Sequence, residues 1–120
     1  MSYKPAIIAV LLVVLCTSVA AAQGLIGNPK RGEAVYLNNC LRCHGPKLDG
    51  NGDEGRYLIV PPANLRSMEI RLKSDWELLV AITNGVLFSP MHGWRNRLSD
   101  QEIMDVLAYI RTMAPGGTVS

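Results

Sequence analysis

Cys40-Leu41-Arg42-Cys43-His44 is the stretch on which the reading of this chain turns. Two thiols three residues apart lie on one side of a short helical turn, and an imidazole follows at once. That run is the attachment signature of c-type haem: the two sulfurs reach the two vinyl groups, and the ring turns toward the iron. Covalent tethering and proximal ligation would then come from five consecutive positions. Plainer readings of a C-x-x-C pair are a redox dithiol, a disulfide and half of a zinc site. A redox dithiol of the thioredoxin kind wants a βαβ surround that this chain lacks. A zinc site wants further donors, and His92 is the only other histidine.

The N-terminus predicts export. Lys4 precedes an apolar run from Ala6 to Cys16, and Ala20-Ala21-Ala22 offers small residues where a signal peptidase cuts. Residues 1–22 are therefore read as a signal peptide and residues 23–120 as one monohaem domain, with a periplasmic destination. The span from Ala6 to Ala22 is short for a transmembrane helix and carries Thr17 and Ser18. The mature chain has no membrane span unless this segment stays uncleaved as an anchor. Cys16 belongs to the discarded part, because Leu15 stands where a lipobox needs a small residue. Cys40 and Cys43 are then the only mature cysteines, which suits haem attachment outside the cytoplasm better than a disulfide framework.

Beyond position 22 the chain is of a size for one domain, near the lower range at which a single core suffices, and a buried porphyrin would supply much of that core. Its charge is close to balanced. Removing Lys4 leaves eleven Lys and Arg against ten Asp and Glu, a net of +1. There is no basic stripe for nucleic acid, no repeat and no low-complexity segment.

The rest reads as helices joined by loops. Asn28-Pro29 is a cap followed by proline at the first helical position, opening a helix through Gly32, Val35 and Tyr36 toward Cys40. From Gly45 to Pro62 the chain is too rich in Gly, Pro and Asp for regular structure. Asp49, Asn51 and Asp53 are spaced like the start of a calcium loop, but Glu54 stands where that loop needs glycine and no closing glutamate follows. A short helix is expected over Leu65 to Leu72. Ser74-Asp75-Trp76-Glu77 matches a capping box ahead of Leu78, Leu79 and Ile82, with Asn84-Gly85 as the stop. Ser99-Asp100-Gln101-Glu102 repeats the device before Ile103, Val106, Leu107 and Ile110, which recur at helical spacing. No segment reads as a strand.

Over nearly all of the mature sequence the chain resembles the class I c-type cytochromes. Gly32, Tyr36 and Cys40 at four-residue intervals are similar to that family's N-terminal helix, and Val106 to Arg111 to its C-terminal helix. Pro61-Pro62-Ala63-Asn64-Leu65 and Ile82-Thr83-Asn84-Gly85 resemble the small bacterial members. The resemblance implies an all-α cytochrome c fold, three to five helices wrapped round one covalently bound haem c. In the family the glycine lets the two terminal helices approach closely. The resemblance also implies a thioether as sixth ligand, and Met91 in Phe88-Ser89-Pro90-Met91-His92-Gly93-Trp94 lies in the matching loop. Here the chain departs from the pattern: proline often follows the ligand methionine, whereas Pro90 precedes it and His92 follows. Met91 is favoured over His92 on the resemblance, not on spacing.

The cofactor-binding set read from the sequence is thus Cys40, Cys43, His44 and Met91, with His44 and Met91 as iron ligands and no catalytic residue. Trp94 and Arg95 are candidates to hydrogen-bond a haem propionate, with Arg56 and Tyr57 behind them. Simple packing of Trp94 is the alternative. Pro61 and Pro62 are the candidates for the carbonyl that accepts a bond from His44 Nδ1–H. Arg42 reads as a solvated residue. The function expected is an exported single-electron carrier, monomeric or a subunit of a respiratory complex, whose partner proteins dock transiently at the exposed haem edge. The alternatives are a haem enzyme or sensor with an open sixth position, and a fixed relay subunit of a larger respiratory enzyme.

Overall fold

The computed structural model describes residues 27–116. The expected signal peptide, its cleavage site and Cys16 lie outside the described residues. Among the described residues five α-helices follow one another: α1 (Pro29–Asn39), α2 (Leu41–His44), α3 (Met68–Leu72), α4 (Asp75–Asn84) and α5 (Asp100–Met113), with one 3-10 turn at Gly55–Tyr57. Among the described residues the only β-type pairing is an isolated bridge between Gly85 and His92. None of the described helices is long and apolar enough to cross a membrane.

Local chemistry places the helix starts. Asn28 caps α1 by accepting from the Lys30 and Arg31 N–H groups, with Pro29 at the first position. Ser74 and Ser99 each form a full capping box, with Glu77 and Glu102 reaching back to the cap N–H. The 3-10 turn at Gly55–Tyr57 lies inside the stretch expected to lack regular structure, and the short helix also differs from expectation. It starts at Met68, because the Ser67 hydroxyl accepts from the Ile70 N–H and fixes the start three residues later than Leu65.

The core is the contact of α1 with α5, the most extensive between helices. Val35, Tyr36, Leu48, Val106 and Ile110 form its buried cluster, and Cys40, Leu41, Leu65, Ile82, Leu98 and Tyr109 pack against it partly covered. The Tyr36 and Tyr109 rings lie 5.4 Å apart and tilted. Gly32 is where the helices touch. A β-carbon built there would overlap the Asp105 carbonyl, so the sequence accepts glycine inside a helix in exchange for close approach.

Polar ties hold the frame at two places. Asp105, 2% exposed, accepts from the Asn28 N–H (2.6 Å), from Arg31 Nε (2.6 Å) and Nη2 (3.0 Å), and from Gln101 (2.9 Å). A buried carboxylate is tolerable only with such satisfaction. Near the other end of α5, Arg111 donates to Asp75 (2.6 Å) and to the Lys73 carbonyl (2.5 Å), fastening α5 to the start of α4.

Candidate haem-binding site

Cys40 closes α1 and opens α2, so both thiols and His44 belong to one continuous helical path with a bend at Cys40. The long loop has a structural task at this helix. A helix end leaves its last carbonyls without partners, and here the Glu54, Gly52 and Gly50 N–H groups donate to the Arg42, Cys43 and His44 carbonyls at 2.8, 3.0 and 2.9 Å. The loop must therefore lie flat on the end of α2. A β-carbon on Gly52 would overlap the Arg42 carbonyl, which accounts for glycine there. Asp49 and Asp53 are spent on the same fold: Asp49 accepts from the Asn51 N–H, and Asp53 pairs with Arg56. No group of three or more His, Cys, Asp or Glu gathers as for a metal ion among the described residues.

His44 is half-buried, and its Nδ1 lies 3.2 Å from the Ala63 carbonyl oxygen. A carbonyl only accepts, so Nδ1 carries the proton and the Nε2 lone pair is left for a metal. Burial lowers the imidazole pKa below its ordinary value, partly opposed by the Ala63 bond, and a neutral ring is what ligation requires. The acceptor is Ala63, not Pro61 or Pro62 as expected. It is the adjacent residue in the same turn, and the Leu65 N–H bond to the Leu48 carbonyl (2.8 Å) sets the register of that turn.

Neither cysteine is in a disulfide. Burial, followed by the neighbouring Cys43 sulfur, pushes Cys40 up to about 12. Reactive redox thiols have lowered values, and Cys40 is shifted the other way. Arg42, between the two cysteines, is solvent-exposed as expected and pairs with Glu54 across the loop.

The second half of the site is the segment after α4. Val86 N–H donates to the Met91 carbonyl (2.9 Å), the Met91 N–H to Ser89 Oγ (3.1 Å), and the Ser89 hydroxyl to the Val86 carbonyl (2.9 Å). Beyond it, the Trp94 and Arg95 N–H groups return to the Ile82 and Thr83 carbonyls at 3.0 and 3.2 Å. Met91 thus sits in a loop stitched at both ends to the C-terminus of α4. Met91 is half-buried and His92 exposed. The imidazole of His92 lies against the Trp94 ring at 4.5 Å, with Nδ1 3.1 Å from the Gly93 carbonyl.

Among the propionate candidates, Arg95 donates to Asn84 Oδ1 (2.6 Å), Arg56 pairs with Asp53, and Tyr57 is largely exposed. Trp94 Nε1–H is buried and has no hydrogen-bond partner among the described residues, a condition that an acceptor on a bound group would satisfy.

The residues present fit a covalently held haem. Two thiols stand on one helical turn, a neutral imidazole has a free Nε2, a thioether sits in an ordered loop, and an indole N–H lacks an acceptor. Beside Cys40 the partly covered side chains of Leu41, Leu65, Ile82 and Leu98 form an apolar margin to the core that a porphyrin would cover.

Residues 27–110 match the sequence family described as cytochrome c oxidase, cbb3-type, subunit III. The chain belongs to this family of class I c-type cytochromes. It is 35% identical over 89 residues to cytochrome c6 of Synechocystis sp., covering 72% of this chain and 66% of that protein. It is 28% identical to the cbb3-type cytochrome c oxidase subunit CcoP of Azospirillum brasilense, covering 83% of this chain and 31% of the subunit. A 35% match to a thiosulfate dehydrogenase of Allochromatium vinosum covers 68% of this chain and 30% of that enzyme. The chain therefore spans just under two thirds of the cytochrome c6 and less than a third of the other two. Among solved structures, cytochrome c6 from the diatom Phaeodactylum tricornutum superposes with a TM-score of 0.56 at 25% identity, over 73% of this chain and 95% of that one. The all-α cytochrome c fold expected from the sequence is the one found, and membership of this family implies covalently bound haem c and a part in electron transfer.

Proposed function

We propose that the protein is an exported single-haem electron carrier in which Cys40 and Cys43 hold the haem, His44 supplies the proximal ligand and Met91 the distal one. Bound haem supplies a one-electron couple, and a His/Met pair raises its potential among c-type centres. The chain's own residues do the rest. Ala63 orients the His44 ring, and the Ser89 hydroxyl and the Val86 N–H fix the backbone on either side of Met91. A filled sixth position excludes oxygen and substrates, so a carrier is favoured over an enzyme. The observation that carries this reading is the pairing of a half-buried, well-braced Met91 with an exposed His92 whose ring lies on Trp94. It is supported by the likeness to cytochrome c6, whereas the thiosulfate dehydrogenase match covers under a third of that enzyme.

A second reading rests on the match to subunit CcoP: the domain relays electrons to one fixed neighbour in a membrane complex, and the N-terminal apolar run is its anchor. Potentiometric titration of the purified protein followed by visible spectroscopy tests the carrier. One reversible one-electron wave with a low-spin spectrum in both states is expected. A high-spin ferric form that turns over peroxide rapidly would contradict it.

A further inference from the structure

Tyr36 carries a hydroxyl that packing alone does not need. Its ring, 1% exposed, fills the contact of α1 with α5 beside Tyr109, and a phenylalanine ring would fill the same space. The hydroxyl instead reaches the residue just past the Cys40–His44 run, donating to the Gly45 carbonyl at 2.7 Å. Gly45 closes α2 at φ 78°, so the peptide that leaves the imidazole is held by a group from α1.

From Gly45 a chain of bonds returns to the His44 ring. The Gly45 carbonyl also accepts the Leu48 N–H at 3.2 Å, and the Leu48 carbonyl accepts the Leu65 N–H at 2.8 Å. Two residues before Leu65, the Ala63 carbonyl stands 3.2 Å from His44 Nδ1. Apart from the His44 ring, every link after the Tyr36 hydroxyl is backbone. Leu48 is the strained member of this circuit. It is fully buried at φ 57°, a left-handed conformation that is costly for a side chain of its size and persists only where the surroundings hold it. Tyr36 supplies one such hold, at the first residue of the Gly45–Leu48 turn.

We propose that the Tyr36 hydroxyl is a positioning group for the proximal imidazole. By fixing the Gly45 carbonyl it holds the Gly45–Leu48 turn, and through the Leu48–Leu65 bond it sets where the Ala63 carbonyl meets His44 Nδ1. The proposal rests on the reading of His44 as the proximal ligand. A firm Nδ1–H bond makes a ligating imidazole more basic and so favours the ferric state. Loosening the circuit at Tyr36 therefore raises the potential.

The test uses the full haem-loaded protein with isotope-labelled histidine. Tyr36→Phe keeps the ring and its packing and deletes only the hydroxyl. In the ferrous state its His44 Nδ1 proton should resonate upfield of the wild-type position, as a lengthened hydrogen bond requires, and its midpoint potential should rise. Tyr36→para-aminophenylalanine, which keeps a donor near Gly45, should restore both readings. Ser99→Ala removes the cap of α5, outside the circuit, and loses comparable stability, yet both readings should stay at wild type. Changes in Ser99→Ala as large as those in Tyr36→Phe would overturn the proposal by reducing it to general loosening of the fold. An unchanged proton position and potential in Tyr36→Phe would overturn it directly. If wild type shows no His44 Nδ1 proton shifted by a haem ring current, His44 is not the ligand, and the proposal falls with that assignment.

Discussion

Gly32 and the Asp105 carbonyl meet so closely that no β-carbon fits between α1 and α5. Because backbone rather than a flexible side chain stands in the way, Gly32→Ala must push the helices apart. The expected loss is about 1–3 kcal/mol, despite the better helix propensity of alanine. Chemical denaturation of the haem-loaded protein measures it, and equal or greater stability would show that the contact is looser than described.

Asp105 itself should make stability acid-sensitive. Arg31 above all, then the Asn28 N–H and Gln101, hold its pKa below the ordinary carboxylate value against the opposing effect of burial. A depressed folded-state pKa means that the contribution is complete above the unfolded value of about 3.9. It is lost as pH falls through the lower folded value. Asp105→Asn should therefore melt lower at pH 7 and show a shallower decline in Tm below pH 4. Parallel Tm profiles for the two proteins would remove Asp105 from the account. The lowered carboxyls of Asp49, Glu77 and Glu102 leave a residual acid dependence in the variant.

The Tyr36 hydroxyl, buried in the core, donates to the Gly45 carbonyl at 2.7 Å, one residue past His44. Burial raises its pKa, so it remains a donor across the working range. Tyr36→Phe strands a buried acceptor and should cost about 1–2 kcal/mol. Guanidinium unfolding at neutral pH would register this, and a midpoint equal to wild type would mean that water or a neighbour replaces the bond.

How much of this was legible beforehand follows from the range of each interaction. Asn28-Pro29, Ser74 and Ser99 could be read as helix starts because caps act within three residues. Ile103, Val106, Leu107 and Ile110 repeat at helical spacing, and all four are buried. The C-x-x-C-H run could be read because its function is local too. What depends on the path of a long loop could not be read. Ala63 rather than a proline faces His44 because the Leu48–Leu65 bond sets that turn. Leu48, fully buried at φ 57°, follows Gly-Pro-Lys with nothing to announce its conformation. The Arg31–Asp105 pair spans 74 positions. Its one signal was a carboxylate beside the apolar stripe of α5.

Thioether bonds survive denaturation and axial ligation does not. Haem should accordingly remain with the wild-type chain on a denaturing gel, and Cys40→Ser with Cys43→Ser should release it. The intact mass should equal a chain starting near Gln23 plus one haem. A wild-type band without haem stain, from a host able to mature c-type cytochromes, would refute attachment, and full-length chain in the membrane fraction would favour the anchored relay.

The most direct test of the central claim is the far-red absorbance of the ferric protein, where a sulfur-to-iron band marks His/Met ligation, compared among wild type, Met91→Ala and His92→Ala. The band should be present in wild type, absent in Met91→Ala together with a lowered potential and ready binding of cyanide, and nearly intact in His92→Ala. Loss of the band in His92→Ala with Met91→Ala silent, or no such band in wild type, would contradict the assignment of Met91 and with it the closed, electron-carrying iron.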